Sequence, residues 1–259
     1  MYTYVYDSFV TDREHERLLS RIEARLTDLG ISGRIERLTM FKDIRDIVSD
    51  AVARGCETVV AVGNDETVSK LVDVLGDFDV ALGLIPVGEG PHRIANLLGA
   101  ASDVESCNVL SRRVIHKVDL GRINDHWFLS SVEIPETSAA VSCNGQYAVV
   151  PASTHHVRVC NLDALEPGTD GEGGYSSPRD GYLDTVISPV SRQGFFSKFF
   201  RPEVAPPPPT VVPVRRLDIT HQRPFAVIRD GVRFSSTRLQ IEIVPQKLKV
   251  VVGRDRKFA

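Results

Sequence analysis

No stretch of this 259-residue chain is apolar over the roughly 18 residues that a membrane helix requires. The polar N-terminus has no signal-peptide pattern. A cytoplasmic protein is expected, with peripheral contact at a membrane surface left open. Cysteine is scarce and scattered: Cys56, Cys107, Cys143 and Cys160 form no CxxC pair. Metal and redox motifs are therefore unsupported, and buried free thiols in a reducing compartment are expected. Excess charge is also missing, since 31 Lys and Arg stand against 34 Asp and Glu, a formal net charge of −3. Nucleic acid has no electrostatic reason to be a partner. The histidines, including the pair His155-His156, show no metal-ligand spacing, and the chain has no internal repeat. What is present is 42% apolar and 25% charged, the composition of a soluble globular protein of one large or two modest domains.

The first hundred residues alternate between two hydrophobic periods. Residues 2–6 are aromatic and β-branched, a strand pattern. Thr11 precedes Glu14 by three residues as a capping box, and Leu18, Ile22, Leu26 and Leu29 follow at helical spacing until Gly30 stops them. A short strand is expected over 34–38. Ile44, Ile47, Val48 and Val52 mark a second helix ending at Gly55. Residues 57–62 (ETVVAV) read as a buried strand, followed by a loop, Gly63 to Glu66, and a helix carrying Val68, Leu71, Val72 and Leu75. Residues 80–86 (VALGLIP) give another strand, and Ile94, Ala95, Leu97 and Leu98 another short helix. Strands alternating with helices over short connections argue for a parallel sheet covered by helices on both faces.

After about residue 112 the pattern becomes β-rich. Segments 114–120 and 127–134 flank Asn124-Asp125, a hairpin signal, and further strands are expected at 146–150, 157–162, 183–187, 225–228, 239–244 and 248–252. The fold class is thus an N-terminal α/β domain (residues 1–112) and a C-terminal antiparallel β-sandwich domain (residues 113–259), with separate sheets. Two stretches interrupt the second domain: a Gly-rich loop at 166–177, and an exposed Pro-rich loop at 202–213 containing PPPP. Phe195, Phe196, Phe199 and Phe200, with Lys198 and Arg201, suit a helix packed on the sandwich better than a membrane-interface cluster.

Ligands of open parallel sheets bind beyond the carboxyl ends of the strands. Two strand-to-helix loops qualify, residues 63–67 (GNDET) and 86–90 (PVGEG), where glycines let backbone N–H groups approach a phosphate. Taken alone, Asp65 or Thr67 would serve equally well as a helix N-cap.

The wider pattern is more specific. VVAVGNDETVSKLVDVL followed by LGLIPVGEGPHRIANLLG resembles the diacylglycerol kinase catalytic domain, whose signposts are a GGDGT loop and an IPxGTxND loop. The resemblance continues through VDLGRINDHWFLSSVEI, through DGYLD at residues 180–184, through ISPVSRQGFFSKFF and through RDG at residues 229–231. It implies a nucleotide-binding α/β domain, a β-sandwich and an active site between them, using ATP and magnesium to phosphorylate a lipid or other small-molecule hydroxyl. An NAD kinase relative shares the Asp-containing Gly loop but has no support elsewhere in the chain.

By that resemblance Thr39, Gly63, Asp65, Thr67 and Gly88 match nucleotide-site positions, and Asp65 and Asp230 are the catalytic candidates. Asp180, the carbonyl of Tyr182 and Ser177 match the magnesium site. Other positions depart from the pattern. Asn64 and Glu66 replace two loop glycines, Glu89 replaces a nucleotide-binding Thr, Pro91 and His92 replace Asn-Asp, and Asp7-Ser8-Phe9 stands in place of an Asn-Pro loop. Val232 occupies the position of the carboxylate general base and cannot accept a proton. The expectation is a lipid kinase fold with a degenerate phosphate site and impaired activity. The alternative is a non-catalytic nucleotide- or lipid-binding module.

Overall fold

The computed structural model of the chain describes residues 1–39, 42–100, 102–150, 153–165, 174–190 and 209–259. The phenylalanine cluster at 195–201, the first three prolines of the PPPP run and most of the Gly-rich loop lie outside the described residues.

The first half forms β1 (Tyr2–Tyr6), α1 (Glu16–Asp28), β2 (Arg34–Arg37), α2 (Ile44–Ala53), β3 (Thr58–Gly63), α3 (Asp65–Leu75), β4 (Ala81–Pro86), α4 (Arg93–Leu97) and α5 (Glu105–Arg112). Its four strands are parallel in the order β2-β1-β3-β4. Every residue of β1, β3 and β4 is buried, as it must be with helices on both faces. One face is covered by Ile47 and Val48 of α2, Leu71 and Leu75 of α3 and Ile94 of α4. The opposite face is covered by Ile22 and Leu26 of α1 and by Cys107 and Leu110 of α5. Because β1 neighbours both β2 and β3, the connections leaving β1 and β3 diverge. That switch point opens a crevice at the carboxyl edge of the sheet.

Two local expectations are corrected. The capping box at Thr11 and Glu14 does not start α1: two 3-10 turns precede the helix, and the Thr11 hydroxyl donates to the carbonyl of Ser8 at 2.8 Å. Asp7 caps the first of those turns, accepting the N–H of Ser8 at 2.7 Å. Helix α5 was not foreseen, because only Ser106, Cys107 and Leu110 of its eight residues face inward, too few to show a periodic stripe.

The second half consists of β5 (Ile115–Ile123), β6 (His126–Phe128), β7 (Ser131–Thr137), β8 (Val141–Cys143), β9 (Tyr147–Val149), β10 (His155–Cys160), β11 (Leu183–Pro189), β12 (Thr210–Val214), β13 (Arg216–Arg229) and β14 (Val232–Val251). Pairing among them is antiparallel, around a core that includes Phe128, Ile134, Val157, Leu217, Val227 and Ile241. The hairpin between β5 and β6 turns at Asn124, which takes a positive φ of 51°. The strands expected at 239–244 and 248–252 are one strand, β14. Its pairing with β5 shifts between Val244 and Leu248, where Gln246 takes a φ of 51°. Residues 210–213, expected in the Pro-rich loop, instead belong to edge strand β12 paired with β11, where Pro213 sits opposite Asp184. Proline is tolerated on an edge because no outer neighbour needs its missing N–H.

The two halves are not separate sheets. Lys249 and Val250 of β14 pair in parallel with Ala81 and Leu82 of β4, so the strand ladder runs through both halves. The length of β14 explains this, since its first part completes the antiparallel region and its last part reaches the parallel one. Leu248, Val250 and Val252 accordingly pack in the same core as α2 and α3. A shared strand makes the halves cooperative. We predict a single thermal unfolding transition, moved to lower temperature by Leu248→Ala, whose lost burial and cavity should cost about 2–5 kcal/mol. Two resolved calorimetric transitions would show that the halves unfold independently.

Candidate functional site

The first four N–H groups of a helix have no partner within it, which is what makes a helix N-terminus receptive to phosphate. At the start of α3 those groups are already engaged. The Asn64 Oδ1 accepts the N–H of Glu66 at 3.1 Å and that of Thr67 at 3.3 Å, while its Nδ2 donates to the carbonyl of Glu89 at 3.3 Å. The buried Thr67 hydroxyl donates to Asp7 Oδ2 at 2.8 Å. Lys70 Nζ lies 3.6 Å from Asp7 Oδ2 and 3.0 Å from Glu66 Oε1. Gly63 is required here because a Cβ would run into the Thr67 side chain.

The second loop is closed by the same neighbours. Gly88 has a φ of 88°, and a Cβ on it would meet the ring of Phe9. His92 Nε2 lies 3.1 Å from the carbonyl of Gly88. Residues 7–9, 63–67 and 88–92 therefore form one self-bonded cluster at the switch point. Glu66 and Glu89 are exposed, so solvent screens their charge and Lys70 offsets that of Glu66. The Asn64 carboxamide, in contrast, sits on the amides themselves. Thr39 is exposed at the carboxyl end of β2 and bridges to Lys42, with no hydrogen bond to these loops among the described residues.

Asp65 and Asp230 line one cavity of about 290 Å³ between the loops of the first half and the strands of the second. Asp65 works as a clamp: its Oδ2 accepts the N–H of Arg93 at 2.8 Å, its Oδ1 that of Ile94 at 3.1 Å, and its own N–H donates to Pro91. This caps α4. Burial raises the pKa of its carboxyl against the pull of those two amides. Asp230 sits in the two-residue turn between β13 and β14, where Asp230 and Gly231 both take positive φ, as a type I′ hairpin demands. Its Oδ2 accepts the N–H of Leu129 at 2.8 Å, and its Oδ1 accepts those of Ser130 and Ser131, each at 2.9 Å. Burial pushes this carboxyl up to about 6, with the three amides opposing.

Residues that the sequence did not mark complete the cleft. Arg93 Nη2 reaches Asp163 Oδ1 at 2.5 Å, and the Ser131 hydroxyl donates to Asp163 Oδ2 at 2.9 Å. Asp163 is buried and links the start of α4 to β7. Asp73, at the far end of α3, forms an ion pair with Arg229 at 3.0 Å and accepts the N–H of Trp127 at 2.9 Å. Asp163 follows β10 in the stretch Asn161-Leu162-Asp163, which in sequence reads as an ordinary turn. Arg93 reads as one more exposed helix residue.

The expected magnesium residues lie apart from this cleft. Asp180 is exposed, and its Oδ1 accepts the N–H of Tyr182 at 2.9 Å. The turn is held from beneath by the buried Asp119, which accepts the N–H of Gly181 at 2.8 Å and of Gln246 at 2.7 Å. Asp184 has its pKa raised by burial and then by the charge of Asp180. Among the described residues no three His, Cys, Asp or Glu side chains gather as a metal cage. These residues offer a magnesium ion one exposed carboxylate, that of Asp180, with one of its oxygens already bonded to the N–H of Tyr182, and do not by themselves make a metal site.

Residues 2–123 match the family described as the diacylglycerol kinase catalytic domain. That match covers just under half of the chain, its first half, which is similar to this family. Two curated relatives, both named diacylglycerol kinase, come from Mycobacterium tuberculosis strains CDC 1551/Oshkosh and ATCC 25618/H37Rv; each is 32% identical over 84 residues. That match spans 32% of this chain and only 27% of the relatives' length. The fold is similar to the crystal structure of a diacylglycerol kinase from Bacillus anthracis strain Sterne, with a TM-score of 0.75 at 15% identity, covering 98% of this chain and 97% of that one. Among the described residues no helix is long and apolar enough to cross a membrane.

The raised pKa of Asp230 fixes a sign. The folded chain holds this proton more tightly than the unfolded chain, so the contribution to stability is full below about pH 4 and is lost as pH rises through 6. Asp230→Asn should therefore flatten the decline in stability between pH 4 and 7, measured by urea melts. An unchanged pH slope would show that Asp230 ionises normally.

Proposed function

We propose that this chain is a diacylglycerol kinase-like protein whose nucleotide site is closed from within, so that phosphoryl transfer to a lipid hydroxyl is slow or absent. The observation that carries the reading is the Asn64 side chain on the amides of Glu66 and Thr67. A triphosphate would have to displace that carboxamide, separate Thr67 from Asp7 and move Phe9 off Gly88. The residues present at these loops do not fit ATP. Val232 adds an independent defect, because a missing general base typically removes on the order of a hundred- to ten-thousand-fold of rate. Asp230 does not replace it readily, with both carboxylate oxygens already bonded to backbone amides.

On this reading the chain keeps the cleft of Asp65, Arg93 and Asp230 as a ligand-binding site, with contact at a membrane surface part of the proposal. The halves meeting at the cleft are taken as residues 1–112 and 113–259, apart from the end of β14. The alternative, a working lipid kinase, requires the Asp7, Asn64 and Phe9 contacts to open.

Binding to the native state must raise its melting temperature. Millimolar ATP with magnesium should leave the wild-type melting temperature unchanged, and the chain should not phosphorylate diacylglycerol measurably. Asn64→Gly with Glu66→Gly and Glu89→Thr should restore a nucleotide-dependent rise in melting temperature, with Val232→Glu adding turnover only in that background. Robust phosphorylation by the unmodified chain would overturn the proposal.

A further inference from the structure

The floor of the cleft is a row across three strands. Glu133 of β7 pairs with Ile228 of β13, and Ile228 pairs with Arg233 of β14. Directly opposed residues in antiparallel strands present their side chains on the same face. All three residues line the cavity of about 290 Å³. Two strand spacings place the Glu133 and Arg233 backbones about 10 Å apart, with the apolar Ile228 between them.

The charged groups lining this cavity differ in what they have left to offer. Asp65 and Asp230 spend their oxygens on backbone amides, and Arg93 is bonded to Asp163. Glu133 is half-buried, and no hydrogen bond or ion pair joins it to the described residues. Arg233 is exposed and likewise carries no ion pair among them. Glu133 stands opposite Arg158 of β10 and feels the charge of Arg93 and His156, yet neither it nor Arg233 is held by a hydrogen bond or ion pair among the described residues, and the two face one small cavity from opposite sides of an isoleucine. A half-buried carboxylate gains from a hydrogen-bond donor, and a guanidinium is matched in geometry to a phosphate.

We propose that the cleft binds a small polyol phosphate, its hydroxyl donating to Glu133 and its phosphate resting on Arg233. The spacing of the two groups suits a three-carbon backbone between hydroxyl and phosphate. Such a ligand is available as a free polyol phosphate or as a glycerophosphate lipid headgroup. The proposal rests on the reading that the cleft, rather than the phosphate loops, is the site this chain has kept. The two failures are distinguishable, since ATP binding by the wild-type chain would overturn that reading, whereas absence of both ATP and polyol phosphate binding would overturn this proposal alone.

The test is calorimetric titration of the full chain with glycerol 3-phosphate, with inorganic phosphate, and with vesicles of phosphatidylglycerol or phosphatidylcholine. Glu133→Ala and Arg233→Ala should each weaken glycerol 3-phosphate at least tenfold, with Glu133→Gln falling between Glu133→Ala and wild type. Inorganic phosphate should bind more weakly, and respond to Arg233→Ala but not to Glu133→Ala. Stronger, variant-sensitive binding to phosphatidylglycerol vesicles would identify a headgroup as the source, while binding confined to the soluble probe would identify a free polyol phosphate. Saturable binding of neither probe overturns the proposal. So does an equal loss of inorganic phosphate in Glu133→Ala, which would mark Glu133 as merely structural. Melting curves confirm that each variant is folded.

Discussion

Backbone N–H groups removed from water must find an acceptor, and this chain satisfies those at its loops with its own side chains. Asn64 takes the amides that open α3, Asp65 those that open α4, Asp230 those before β7, and Asp119 those of the turn at Gly181 and of Gln246. The rest of the site depends on this choice. An amide bonded to a carboxamide three residues away has no free hydrogen for a phosphate. A carboxylate holding three amides is poorly placed to take a proton from a substrate.

The same bonds hold the halves in position. Helix α3 presents Asp65 to α4 at one end and Asp73 to Arg229 and Trp127 at the other, and Arg93 joins Asp163 across the cleft. Breaking such a link on the exposed side is costly, because Asp163 would be left buried without its partner, and the Arg229–Asp73 pair is itself largely shielded from water. β14 runs through both cores and ties the two walls of the cleft together.

Much of the fold was legible because its signals are local. The alternation of buried strands with amphipathic helices, the Asn124 turn and the Asp230-Gly231 hairpin each follow from residues a few positions apart. The pairing of Lys249 with Ala81 was not legible, since nothing in either segment names a partner so far along the chain. Helix α5 escaped because only three of its residues face inward. At the site, Asp65 and Asp230 stood out by resemblance, and the structure does bring them to one cavity. The exposure of Glu66 and Glu89 is invisible in sequence, although Lys70 stands four residues after Glu66, the spacing of a helical ion pair. The contacts of Asn64, Asp7 and Phe9 arise only when three separate loops meet at the switch point. Asp163, Arg93 and Glu133 owe their places to strand pairing and a helix start, and none carries a sequence mark.

The claim that the phosphate site is closed from within is tested most directly at the amides themselves. Backbone amide chemical shifts of Glu66 and Thr67 should be unmoved when ATP and magnesium are titrated into the wild-type chain, and should move when the titration is repeated with Asn64→Gly. A saturable shift of both amides in the wild-type chain would contradict the account, because it would show that the Asn64 carboxamide yields its place to phosphate.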